Sequence, residues 1–189
     1  MDTPENSSDP AVSDEAVMQM VVNGDREAFV ALVRKYQKAL LNFFHRMNVY
    51  SGDADDLAQE TFIRLFNYRV KYRPTARFTT FLYLMARQVQ VDYYRKQKRR
   101  TLLAEALKNE PVPEHDGPDT GRIADAGERT GKALNTLSEE MRVVVVMSIY
   151  QELKYREISA ILGIPVGTVK TRMFHALQKL REAMKNEQL

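Results

Sequence analysis

Residues 153–181 read LKYREISAILGIPVGTVKTRMFHALQKLR, enough sequence for two helices with a glycine between them. Ile158, Ile161 and Leu162 fall at spacings of three and four, which gathers them on one buried helical face. Gly163 frees the backbone at the end of that helix, and Pro165 suits the first turn of the next. The second helix carries Val169, Met173, Ala176, Leu177 and Leu180 as an apolar stripe, while Gly167, Lys170, Thr171, Phe174, His175 and Gln178 fall largely away from it. One face docks on its own domain and the other, polar and basic, suits a DNA major groove, the form of a helix-turn-helix. An ordinary helical hairpin shares the glycine turn. What favours DNA is the sum within one window: the Glu-Ile-Ser-Ala-Ile-Leu-Gly-Ile run, the short turn, and a proline-started helix bearing Lys170 and Arg172.

Charge extends this reading outward. The formal net charge of the 189 residues is only +3, but it is segregated. Residues 1–25 carry −6, residues 26–100 carry +10, residues 101–131 carry −4 and residues 132–189 carry +3. Two basic blocks separated by an acidic spacer suggest two polyanion-binding modules, with the spacer kept off the nucleic acid. No apolar run is long enough to span a bilayer, and the acidic N-terminus is unlike a signal peptide. With no cysteine there are no disulfides or thiolate metal sites, so a soluble cytoplasmic protein is the simplest expectation.

The pattern along the chain is helical throughout. Residues 1–12, rich in Asp, Ser, Asn and Pro, read as disordered. A short helix is expected over Asp14–Val22, stopping at Asn23-Gly24. Asp25 then caps a second helix with Phe29, Leu32, Val33, Tyr36, Leu40, Phe43, Phe44 and Met47 at helical spacing. Ser51-Gly52-Asp53 reads as a turn and cap before a third helix with Leu57, Ala58, Phe62, Leu65 and Phe66 on one side. Pro74 breaks the chain, and a fourth helix is expected from about Thr79 to Arg100. From Leu107 to Gly131 the periodicity disappears into an acidic stretch punctuated by proline and glycine, a flexible linker. Helices resume near Lys132. Val143–Val146 favours a strand by propensity, but Leu137, Met141, Val144, Val145 and Ser148 fit a helical face and Ser138 offers a cap. The fold class is all-α, two small helical domains joined by a flexible acidic linker.

Two further segments carry chemistry. Asp53, Asp55, Asp56, Gln59 and Glu60 crowd the start of the third helix in GDADDLAQETFIRLF. The positive end of a helix dipole favours acids there, and that alone accounts for much of the cluster. A carboxylate metal site, as nucleases use, needs convergent ligands and a general base, and none of the three histidines is adjacent. A protein-docking face is the third reading, with Ile63 and Phe66 flanking the acids. The second segment, YRPTARFTTFLYLMARQVQVDYYRKQKRR at 72–100, follows its leading Tyr72 with five aromatics at 78, 81, 83, 93 and 94 among many bases. Phe81, Met85 and Val89 are spaced to face inward. The other aromatics exceed what a core needs, and exposed rings beside cations are stacking platforms for unpaired bases.

The order of acidic helix, aromatic-basic helix, linker and helix-turn-helix resembles the bacterial sigma factors of RNA polymerase, in particular the two-domain extracytoplasmic-function (ECF) group. DADDLAQETFIRLF, RFTTFLYLMARQVQVDYYRKQKRR and the opening stretch carry the resemblance, which runs from Asp25 to Lys185 apart from the linker. It implies a region 2-like domain over 13–102, a linker over 103–131 and a region 4-like domain over 132–186. It implies that Asp53, Asp55, Asp56, Gln59, Glu60, Phe62 and Phe66 dock on the polymerase clamp. It implies that Arg77, Phe78, Thr79, Phe81, Tyr83, Arg87, Gln88 and Arg95 open and read the promoter −10 element. It implies that Thr168, Lys170, Thr171, Arg172, Phe174 and His175 read the −35 element as duplex. Gln88 stands where family members often have Asn, Phe81 where many have Trp, and His175 where a second Arg is common. The partners implied are core RNA polymerase, promoter DNA and an anti-sigma factor. No cofactor, metal or catalytic residue is expected, since the polymerase performs the chemistry. A stand-alone helix-turn-helix regulator with an N-terminal dimerisation or ligand domain is the alternative, and a nuclease or recombinase built on the Asp53–Glu60 acids comes after it.

Overall fold

The computed structural model describes residues 12–49, 51–107 and 126–186, and among these every regular element is helical. The first eleven residues, read as disordered, and most of the stretch read as linker lie outside the described residues.

Helix α1 (Asp14–Val22) starts where the Ser13 hydroxyl accepts a hydrogen bond from the Ala16 N–H at 3.2 Å. Asp25 caps α2 (Arg26–Arg46) in the same way, accepting from Ala28 N–H at 3.1 Å. Between them Gly24 takes φ +99°, a value that favours glycine. The chain leaves α2 through Asn48 at φ 58°, a left-handed position that asparagine tolerates. Helix α3 (Ser51–Tyr68) then starts earlier than the sequence suggests, because Ser51, Gly52 and Asp53 join the helix instead of forming a turn before it. Asp53 is therefore no cap, and its carboxylate accepts from the Tyr93 hydroxyl at 2.6 Å. A 3₁₀ turn (Arg69–Lys71) and Pro74 lead to α4 (Phe78–Leu107), which runs two turns beyond its expected end. Thr101–Leu107 holds mostly good helix formers and no breaker, so nothing stops the helix at Arg100.

These four helices close a core. Leu32, Leu40, Phe43, Phe44, Leu65, Leu82, Tyr83 and Val89 are all buried in it. Helix α1 is stapled across the top by Asp14, which takes Lys35 Nζ at 2.6 Å and the Tyr36 hydroxyl at 2.5 Å. Its neighbour Glu15 accepts the Phe78 N–H at 2.6 Å, satisfying an otherwise orphaned donor at the start of α4.

The C-terminal helices are α5 (Ala126–Asn135), α6 (Glu139–Val145), α7 (Tyr155–Leu162) and α8 (Val166–Asn186). Helix α5 begins six residues before the expected resumption near Lys132, inside the stretch read as linker. Its carbonyl end is held by the buried Arg142, which donates to the carbonyls of Leu134 at 3.0 Å, Asn135 at 3.4 Å and Leu137 at 3.0 Å. Burial lowers the pKa of this arginine, and the negative end of α5 keeps the charge in place. Ser138 does stand at the N-cap position of α6 with extended backbone, but its side chain makes no capping bond. The valine run is helical, as its spacing suggests, yet Val143 through Met147 are all buried and no single face is singled out. Packing on every side overrides the strand propensity of the branched side chains. The helix then widens into a π turn over Val146–Tyr150 before the chain turns back through Glu152 at φ 54°. Helix α7 lies against α4 and the π turn lies against α2, so both groups of helices share one continuous apolar cluster.

Candidate nucleic-acid interface

The helix-turn-helix forms as the spacing suggests. Ile158 and Ile161 are buried, Gly163 sits at φ 65°, and the Ser159 hydroxyl ties the turn by donating to the Ile164 carbonyl at 2.6 Å. Pro165 stands just ahead of α8, its carbonyl accepting from Val169 N–H at 3.2 Å. Val169, Met173 and Ala176 form the buried stripe and Leu180 packs at its edge. Leu177, expected on the stripe, is exposed: its neighbour Ala176 holds the inward position, and one residue on turns the side chain about 100° away.

The opposite edge of α8 is displayed. Lys170, Thr171, Phe174 and His175 are exposed and Thr168 is half-buried. Phe174 is 63 % exposed, its ring set edge-on to His175 at 5.5 Å, so an apolar group is offered among polar ones. That combination can read hydrogen-bonding base edges and a thymine methyl. Arg172 differs from its neighbours. Its guanidinium donates to Glu140 Oε2 of α6 at 2.6 Å, which pins it against its own domain.

On α3, Asp55, Asp56, Gln59 and Ile63 are exposed and form a solvent face opposite the buried Ala54, Ala58, Thr61 and Leu65. Glu60 is drawn sideways by Arg64 at 2.8 Å, and Arg64 also holds Asp92 at 2.7 Å. Phe62 is only 7 % exposed and packs edge-on against Phe29, so it shapes this face from beneath and cannot itself touch a partner. Phe66 is half-buried, with Phe29 on one side at 4.9 Å and the Arg69 guanidinium over its ring at 3.9 Å. Among the described residues no group of three or more His, Asp and Glu is placed to hold a metal ion.

The aromatics of α4 overturn the expectation of surplus exposed rings. Phe78 and Tyr83 are each 1 % exposed, packed against Tyr36 at 5.3 Å and Phe43 at 5.5 Å. Tyr94 donates to the Met47 carbonyl at 2.5 Å, and Tyr93 is pushed up to about 12 by burial and by its bond to Asp53. They are core and strut. Met85 and Val89 are buried as their spacing suggests, but Phe81, expected to face inward with them, is only half-buried and has the platform geometry, between Tyr68 at 5.8 Å and Tyr72 at 5.1 Å. Tyr68 is exposed, and it escapes a sequence reading because it lies upstream of the aromatic-basic segment that begins at Tyr72. The polar residues of the segment divide likewise: Arg77, Gln88 and Arg95 are exposed, while Thr79 and Arg87 are half-buried.

This side of α4 meets the C-terminal domain. Arg87 Nη1 donates to Glu139 Oε1 at 2.8 Å, and Thr80 Oγ1 donates to Glu157 Oε1 at 2.9 Å. Arg77 stands 3.9 Å from the same glutamate, and the Tyr83 hydroxyl donates to the Gln151 side-chain carbonyl. Beside these contacts a cleft of about 580 Å³ is lined by four arginines, Arg64, Arg87, Arg95 and Arg172.

A helical body with a displayed helix-turn-helix edge, an exposed acidic face and an arginine-lined cleft has the build of a DNA-binding transcription protein. Residues 32–100 match the family Sigma-70 region 2, and residues 128–180 match Sigma-70, region 4. The chain is 30 % identical over 185 residues to the ECF RNA polymerase sigma-E factor of Haemophilus influenzae, covering 93 % of this chain and 95 % of that one. It is also 30 % identical over 185 residues to the ECF RNA polymerase sigma-E factor of Escherichia coli strain K12, covering 93 % and 94 %. This protein belongs to the ECF sigma factors, a family of transcription initiation factors. The fold agrees with two solved structures. That of CnrH in complex with the cytosolic domain of CnrY has a TM-score of 0.71 at 22 % identity, covering 93 % of this chain and 99 % of that chain. That of the sigma factor RpoE with the anti-sigma factor NepR from Bartonella quintana has 0.68 at 24 %, covering 83 % and 96 %. Matches to both sigma regions in one chain leave the stand-alone regulator disfavoured.

Proposed function

We propose that this chain carries core RNA polymerase to a set of promoters through three surfaces divided between two domains, 13–102 and 132–186, joined by a linker. The observation that carries the reading is the displayed edge of α8, where Lys170, Thr171, Phe174 and His175 stand free to read −35 duplex. Asp55, Asp56 and Gln59, with Ile63 among them, form the face that docks on the polymerase; Asp53, Glu60, Phe62 and Phe66 hold that face in shape. Arg77, Thr79, Phe81, Arg87, Gln88 and Arg95 contact the opened −10 strand, and Phe78 and Tyr83 anchor the helix that carries them. Each domain alone touches few phosphates and binds weakly at cellular salt. Held on one polymerase, the two act at high effective concentration and choose a promoter together. No step asks this chain for a catalytic group or a cofactor.

The protein acts in the cytoplasm, and no helix among the described residues is long and apolar enough to cross a membrane. An anti-sigma partner restrains it, as NepR is paired with RpoE of Bartonella quintana in the similar fold. The test is reconstitution of the full chain with core RNA polymerase on a library of promoter fragments. Transcripts from defined start sites, seen only with both components, are the expected result. Tight binding of palindromic duplex without polymerase, or cleavage of DNA with added metal, would overturn it.

A further inference from the structure

We propose that Glu15 is a positioning residue for the −10 strand: from α1 it fixes the start of α4, and with it the segment that presents Arg77, Thr79 and Phe81. This rests on the −10 assignment made above. Helix α1 lies ahead of residues 32–100, the part of the chain that matches Sigma-70 region 2. The start of α4 breaks a local rule. The Arg77 carbonyl accepts the first intrahelical bonds, from Thr80 N–H at 3.0 Å and Phe81 N–H at 3.4 Å, so Arg77 stands at the N-cap. An arginine side chain has no acceptor for the orphaned N–H groups there, and its charge meets the positive end of the helix. The first turn of α4 holds no acid to offset it. Local rules of this kind are broken chiefly at functional sites. Arg77 keeps more than half of its side-chain surface exposed, as a strand contact requires.

Glu15 supplies from a distance what the segment lacks. Its carboxylate accepts the Phe78 N–H at 2.6 Å, across 63 positions of chain. That bond is charge-assisted, and it brings a negative group to the positive end of α4. Glu15 is itself held in place. Met18 and Val21 of the same helix are buried, and the adjacent Asp14 takes Lys35 Nζ and the Tyr36 hydroxyl. The Tyr36 ring in turn packs on Phe78 at 5.3 Å. The other end of the segment is reached as well. Helix α1 lies against the 3₁₀ turn Arg69–Lys71, and the phenol of the buried Tyr72 is pushed up by burial and, less strongly, by the Glu15 charge. One short helix thus pins both ends of residues 73–77, all of which are exposed. Phe81 gains from the same anchor, because its ring rests on Tyr72 at 5.1 Å.

Variants of the full-length chain test this. Glu15→Ala removes the acceptor, Glu15→Gln keeps an oxygen without the charge, and Arg77→Ala checks the −10 assignment by itself. Hydrogen exchange follows the Phe78 amide. Strand binding is read by fluorescence anisotropy with a random-sequence single-stranded DNA pool of about 15 nucleotides, and random-sequence duplex is the control for α8. For Glu15→Ala the expected result is a faster-exchanging Phe78 amide and strand binding weakened roughly fivefold, the usual worth of a cap, with duplex binding unchanged. Glu15→Gln should recover most of both. Where the alanine variant does not fold, Glu15→Asp, which keeps the charge and shortens the reach, should weaken strand binding in the same selective way. Strand and duplex binding falling together would overturn positioning in favour of a purely structural part. A freed amide with full strand binding overturns it as well, and if Arg77→Ala weakens the strand the −10 assignment survives that failure. Strand binding unchanged in Arg77→Ala removes the −10 assignment and the proposal with it.

Discussion

The exposed edge of α8 and the side of α4 that meets the C-terminal helices are composed of similar residues, arginine or lysine with threonine and aromatics, yet they stand in opposite states. On α8 the aromatic Phe174 lies in solvent and Lys170 is exposed. On α4 the aromatic Tyr83 is core and Arg87 is held by a glutamate of the other domain. The difference follows from what each helix has to support. Helix α8 packs one stripe on a small domain and leaves the other side free. Helix α4 is the floor of the N-terminal core and the wall of the domain interface at once, so its aromatics are consumed by packing. Basic and aromatic composition alone therefore does not tell a display from a strut.

The widest gap between the two helices should appear in stability. Tyr83→Ala is expected to cost about 3–5 kcal/mol, as loss of a buried ring does, whereas Phe174→Ala should stay within about 0.5 kcal/mol. Urea unfolding of the two variants measures both, and equal costs would break the comparison. A second gap should appear within α8 itself. Lys170→Ala should relax −35 selectivity by about 1–3 kcal/mol for each base that the lysine reads. Arg172→Ala should give less, since Arg172 already spends its guanidinium on Glu140. Competition binding on −35 duplexes with single-base changes decides this; a larger effect at Arg172 would mean that it lets go of Glu140 on the DNA.

The third expected effect is alkaline and falls mainly on the N-terminal helices. Tyr36, Tyr83, Tyr93 and Tyr94 have pKa values raised chiefly by burial. A raised folded-state value means that the fold favours the protonated phenol. Their contribution is then complete below the unfolded value of about 10 and declines as pH rises through the folded value, about 12 for Tyr93. Urea midpoints at pH 7 and pH 8.5 should nearly agree, and those at pH 10 and pH 11 should fall progressively. A flat profile through pH 11 would remove the tyrosines from the core's account.

Much of this was legible in the sequence where local rules decide. Asp25 and Gly163 mark their helix ends, and the stripe from Val169 to Ala176 was visible as spacing. The exposed side of α3 was legible too, because acids there alternate with small and apolar residues at helical intervals. What escaped depends on partners distant in sequence. Phe78 and Tyr83 look like surface platforms until Tyr36 and Phe43 are seen to cover them. Arg172 reads as a DNA contact until Glu140 is found beside it.

The π turn at Val146–Tyr150 sets a phase. It carries an extra residue relative to an α-helical turn, and each residue of an α-helix is worth about 100° of rotation. The chain leaves this turn through Gln151 and the left-handed Glu152, so the length of the turn sets where α7 begins. A single-residue deletion here would shorten the path from α6 to α7 while keeping every side chain of α7. How the two domains address each other is thus adjustable by length as well as by substitution.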